Sequence, residues 1–203
     1  MTKSIAQIDP REFYQDAFSS RQEASEFLDD VLQEQNKEKN RSVRQILYQA
    51  QRMLWLADRL QPLTKSRQAF QILFYLIAAE LCAKIVKKYD GESKSREHAH
   101  IFFEEICTDK HRRQLQNGFS GQDENGMNLS LDVPTVVNIL YDIRCDVVHR
   151  GEYDFYLPPD GNQDVIIMNS SKQGYVSVSI KPHQLRQIVL EGVVAGARKA
   201  TQI

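Results

Sequence analysis

From about residue 65 to residue 89 the chain is apolar almost all round: Phe70, Ile72, Leu73, Phe74, Leu76, Ile77, Leu81, Ile85 and Val86 leave no polar face of ordinary width. A helix that is hydrophobic on every side has to be surrounded by other elements. The rest of the sequence must therefore supply helices or sheets that wrap this one. Its polar exceptions, Glu80, Lys84 and Lys87, fall on one narrow side at helical spacing. Two readings of that side stand open. It is an exposed edge carrying a Glu80–Lys84 pair worth a few tenths of a kcal/mol, or Glu80 faces a polar site on a neighbouring element.

The wrapping elements are legible as periodic stripes. Residues 41–61 carry Val43, Ile46, Leu47, Ala50, Met53, Leu54, Ala57 and Leu60, and stop before Pro62, which cannot continue a helix interior. Trp55 lies off that stripe, as a second packing contact or as a platform for a base. Upstream, residues 10–37 form a helical region with the stripe Ala24, Phe27, Leu28, Val31 and Leu32, and Ser19 or Ser20 suits the cap of a break. Residues 1–10 read as loose. A further helix over 93–107 is marked by Ile101, Phe102, Phe103 and Ile106. His98 and His100 point to different faces of it, so they form no helical metal pair and read as surface histidines. The run Lys110, His111, Arg112 and Arg113 is a solvated turn or a phosphate contact. Residues 117–131 hold three glycines and read as a loop, a candidate lid.

After Gly151 the period changes. Residues 164–168 and 175–180 are short β-rich runs that read as an antiparallel hairpin, preceded by a turn at Pro158–Gly161. A lone hairpin is too small to be stable unaided, so it must lean on the helices or on a second subunit. The last helix runs from Pro182 to about residue 200, with Leu185, Ile188, Val189, Gly192, Val193, Gly196 and Ala197 on one face. Two glycines four apart permit close approach, within the bundle or at a subunit interface.

The whole is an all-α plan with a β-hairpin insertion over 152–181 and an N-terminal helical extension over 1–40. With 203 residues, 41% of them hydrophobic, the chain can bury one core and reads as a single domain. No apolar run reaches the roughly 18 residues of a membrane span, and the polar N-terminus lacks a leader's apolar segment. A soluble cytoplasmic protein without membrane contact is expected. Cys82, Cys107 and Cys145 are far apart and read as reduced, packed thiols; no metal site and no cofactor is expected. The net charge of -1 argues against a general basic coat. Residues 1–40 nevertheless hold 5 Lys/Arg against 9 Asp/Glu, and residues 41–113 hold 14 against 8. The basic half suits a phosphate backbone or an ordinary solvated surface.

Chemistry concentrates in residues 133–151. Pro134 suits a first helical turn and Gly151 the position after a last one. Val133, Val136, Val137, Leu140, Ile143 and Val147 form the buried stripe, and its C-terminal end carries Arg144, Asp146, His149 and Arg150. Arg144, four intervening residues and His149, followed by Gly151, resemble the Arg-x4-6-His motif of HEPN domains; the likeness extends over roughly residues 40–200. The family often has a polar residue directly after the arginine, where this chain has Cys145. HEPN domains are small helical bundles, many of them metal-independent RNases. The resemblance implies a HEPN-like bundle and a symmetric homodimer that joins two motifs in one cleft. It also implies Arg144 and His149 as catalytic residues, with Glu80 orienting one of them. Asp146, Arg150 and Lys84 are the supporting or substrate-binding candidates.

Those residue types fit the reaction. Without a metal, RNA is cut when its 2′-hydroxyl attacks the adjacent phosphorus, which needs a base, an acid and a cation on the phosphoryl oxygens. Histidine titrates near neutrality and suits the proton transfers; arginine binds phosphate with a permanent, forked charge. One protomer's single histidine does not easily serve as both acid and base, a difficulty the implied dimer removes. The expected products carry a 2′,3′-cyclic phosphate and a 5′-hydroxyl. In a straight α-helix five residues turn about 500°, so Arg144 and His149 share a face only if the helix bends or ends before His149. The leading expectation is an endoribonuclease of the toxin or phage-defence type, with RNA as substrate and an antitoxin or other regulatory protein as a further partner. The alternatives are a non-catalytic module that binds RNA, a nucleotide or a protein, and a structural protein in which His149 merely caps a helix. No motif of another enzyme class is present: no phosphate-cradling glycine loop, no Gly-x-Ser-x-Gly and no His-Glu-x-x-His.

Overall fold

The computed structural model describes residues 8–60, 67–122, 127–151, 165–168 and 175–201. Among the described residues, eight α-helices and four short strands follow one another. Helix α4 (Arg67–Val86) is the central rod, with α3 (Arg41–Arg59), α5 (Ser95–His100), α7 (Val133–Cys145) and α8 (Pro182–Thr201) packed on it. Its segment Gln68–Val86, with mean hydropathy 1.8, is long and apolar enough to cross a membrane, contrary to the expectation that no such segment exists. Ala69, Ile72, Tyr75, Leu76, Ala78, Ala79, Cys82 and Ala83 are buried against its neighbours.

The N-terminal region breaks where the serines suggested. After α1 (Pro10–Tyr14) and a single tight turn, α2 (Arg21–Leu32) starts at Ser20, whose side chain accepts from Glu23 N–H. Tyr14 is fully buried and donates its hydroxyl to the Leu47 carbonyl at 2.6 Å. This region thus contributes to the core shared by α3, α4 and α8.

Gly192 and Gly196 act inside the bundle. A β-carbon at Gly192 would run into Phe102, and one at Gly196 would fall on Cys82 Sγ. Of the two readings of this face, the close approach is to α4 and to the segment after α5.

Three expectations are corrected. The basic run 110–113 is not a turn. It belongs to α6 (Asp109–Asn117), which is capped by Thr108. Lys110 and His111 meet Glu191, while Arg112 reaches Asp109 and the carbonyls of Glu104 and Cys107. His98 and His100 are not surface histidines. His98 is buried, and His100 bonds Glu104 and Asn138. The 117–131 segment is no simple loop, since Phe119–Gln122 is strand β1 and Asn128–Ser130 is strand β2. They join β3 (Val165–Met168) and β4 (Tyr175–Val178) in an antiparallel sheet of order β2-β1-β4-β3. The expected β3–β4 hairpin is present, with Val165 opposite Val178, but it leans on β1, where Phe119 faces Val178. The expected turn at 158–161 lies outside the described residues, as do residues 1–7.

Candidate functional site

Asp132 opens α7, its carboxylate accepting from Thr135 N–H at 2.9 Å, and Pro134 occupies the first turn. The apolar stripe then buries Val136, Val137, Leu140 and Ile143. Past Cys145 the helix neither stops nor runs straight. Residues Asp146–Arg150 wind as one π-helical turn, closed by Gly151 at φ 67, whose N–H bonds the Asp146 carbonyl. Such turns take up one extra residue and recur at functional sites. In a straight α-helix His149 would project about 140° around the axis from Arg144. The wider turn rotates it back toward the side of Arg144. Before His149 the helix thus rewinds rather than breaks.

Arg144 points inward. Its Nε lies 3.4 Å from Glu80 Oε1 on α4, with side chains 17% and 12% exposed. Neither of those two atoms makes a hydrogen bond, so charge rather than an aligned donor holds the pair. Burial pushes the Glu80 carboxyl above the ordinary carboxylate range, opposed by the Arg144 charge and a hydrogen bond with Ser95. The Arg144 guanidinium also sits 5.2 Å from the Tyr141 ring. Burial likewise raises the Tyr141 hydroxyl.

A second arginine, missed in the sequence, completes this wall. Arg96 of α5 lies 4.7 Å from the same Tyr141 ring and donates to Asn138 Oδ1 at 3.0 Å and Asp142 Oδ1 at 2.7 Å. Asn138 Oδ1 is also 3.1 Å from His100 Nε2, and His100 Nδ1 is 2.5 Å from Glu104. The only local signal was the i, i+4 pair Asn138 and Asp142 on the outer side of α7. That Arg96 meets it is a tertiary fact.

The sequence candidates divide accordingly. Glu80 and Arg144 are together. Asp146 and Arg150 pair at 3.1 Å on the exposed last turn. His149 is exposed, with no hydrogen bond or ion pair among the described residues, and so meets neither Arg144 nor Glu80. Lys84 does not pair with Glu80; it lies near His98, whose pKa is lowered first by burial and further by the lysine charge. Cys145 is a free, half-buried thiol. No group of three metal-ligating side chains occurs among the described residues.

Chemically, the terminus offers one anchored guanidinium and one solvent-facing imidazole a π turn apart, beside the exposed Val148 and Arg150. That is a cation and an imidazole on a rigid support. Comparison with family models, with curated proteins and with solved structures returns no match.

Proposed function

We propose that this chain is a metal-independent endoribonuclease of HEPN type, acting as a homodimer in the cytoplasm. Two α7 termini would face each other across one cleft. Each Arg144 would bear on the crowded phosphate, and the two copies of His149 would take the 2′-hydroxyl proton and return one to the 5′-oxygen. Glu80 would then act through Arg144, as a positioning residue. Asp146 would hold Arg150 at the cleft edge. A toxin or defence role, with an antitoxin or another regulator as partner, belongs to the same proposal.

The observation that carries this reading is the π turn: it ends a buried helix that bears Arg144 with an exposed His149. A non-catalytic binding module is favoured by one feature, the inward turn of Arg144 toward Glu80 and Tyr141.

The test is incubation of labelled RNA with the protein in EDTA. Cleavage to 2′,3′-cyclic phosphate ends is expected, falling roughly 100-fold or more in His149→Ala. The thermal midpoint should not move, because His149 is exposed. RNA retained but uncut points to the binding module. Cleavage that persists in His149→Ala contradicts the assignment.

A further inference from the structure

The outer face of α3 carries a second feature, on a helix that packs on α4 and α8, whereas α7 packs on α4 and α5. Arg41, Tyr48, Arg52, Trp55 and Arg59 recur at three-, four- and seven-residue steps and so fall on one side of the helix. Cation, aromatic, cation, aromatic, cation follow one another over about 27 Å. Arg41, Tyr48 and Arg52 are exposed, Tyr48 to 41%. Neither Arg41 nor Arg52 has a side-chain hydrogen bond or ion pair among the described residues. Arg59 lies over the Trp55 ring at 4.8 Å. The one carboxylate on α3, Asp58, is turned aside and held by Arg186 at 2.7 and 2.8 Å. Glu34, near the start of the helix, is taken up by Lys37 and Arg44. In a chain of net charge -1 the described part of this face is cationic and aromatic, and α3 itself adds no carboxylate to it.

We propose that this face of α3 binds single-stranded nucleic acid, with phosphates on Arg41, Arg52 and Arg59 and unpaired bases on Tyr48 and Trp55. Unpaired bases stack on aromatic rings whatever their sequence, while evenly placed cations follow the backbone. A plain solvated face would mix acids with its arginines and would not interleave rings between them. The site is separate from the α7 terminus and holds whether or not His149 cuts anything.

The chain supplies its own reporter, because Trp55 is its single tryptophan. In a His149→Ala background, which keeps the strand intact, a fluorescein-labelled RNA of about a dozen nucleotides should bind with quenching of Trp55 emission. A DNA single strand of the same sequence should bind comparably, and the matching duplex more weakly. Log affinity should fall with log salt at a slope of about -2, as three phosphate contacts on a single strand require. Tyr48→Ala and Arg52→Glu should each weaken binding by roughly tenfold without moving the thermal midpoint. Unchanged affinity in both variants, with constant Trp55 emission, would overturn the assignment. So would capture of phosphatidylglycerol vesicles but no oligonucleotide, or self-association relieved by Tyr48→Ala, which would make the face a membrane or dimer surface instead.

Discussion

Arg144 and Glu80 face each other's charge without sharing a hydrogen bond. Removing one partner leaves the other half-buried and uncompensated, whereas replacing both with apolar or neutral groups of similar size is far milder. Arg144→Met should cost about 1–3 kcal/mol, below the range for fully buried pairs because both side chains keep some water contact. Glu80→Gln should cost less, and the double variant less than the sum; a thermal-melt double-mutant cycle reads this directly. The Arg144–Glu80 contact joins two helices far apart in sequence; spacing alone left it open, and of the two residues that Glu80 was expected to orient, it lies by Arg144. The burial of His111, named only as part of a basic run, was hidden for another reason. Its ring accepts from Thr108 N–H and donates to Glu191 at 2.6 Å, so a polar residue fills a core position that an apolar stripe search passes over. Glu191 is pulled two ways: burial raises its carboxyl, but hydrogen bonds from Gln187 and His111 outweigh that and leave it lowered. A lowered carboxylate stabilises the fold above its unfolded-state pKa, and that contribution is lost as pH falls through the folded value. Glu191→Gln should therefore destabilise by roughly 1–2 kcal/mol at pH 7. It should also flatten the acid limb below about pH 4.5, measured as melting midpoint against pH.

Elements with a long apolar period were readable to within a few residues. Helices α3, α4, α7 and α8 follow their stripes, and Ser20, Asp132 and Pro182 mark starts that local chemistry dictates. Helix α6 was not readable, because only His111 and Leu115 of its nine residues are buried. The β1–β2 pair was hidden in a glycine-bearing segment whose partner, β4, lies far along the chain. The π turns leave no trace in a hydrophobic pattern, and the one at Asp146–Arg150 decides where His149 points. Deleting the exposed Val148 should turn it into an α turn with the histidine four residues past Arg144, about 40° around the axis and so on the same side. RNA cleavage should survive this deletion; its loss with the helical circular dichroism unchanged would contradict the pairing of the two residues. The α8 glycines make a sharper packing prediction. Gly196→Ala gains about 1 kcal/mol of helix propensity but drives a methyl into Cys82 Sγ, and overpacking of this kind costs about 1–3 kcal/mol. Net destabilisation is expected, with recovery in Gly196→Ala/Cys82→Ala, read by chemical denaturation.

For the whole molecule, the mostly helical plan around a buried central rod stands as the sequence suggested. The sheet is larger than a lone hairpin, because two hairpins share it. At the α7 terminus one exposed imidazole stands near one internally paired guanidinium. In the proposed dimer a second copy of His149 would share the proton transfers. Subunit mixing measures this directly: wild-type protein is exchanged with increasing His149→Ala protein at constant total concentration, and RNA cleavage is followed in EDTA. If both histidines of a dimer are needed, activity falls as the square of the wild-type fraction. A linear fall, or no cleavage by the undiluted wild type, would contradict it.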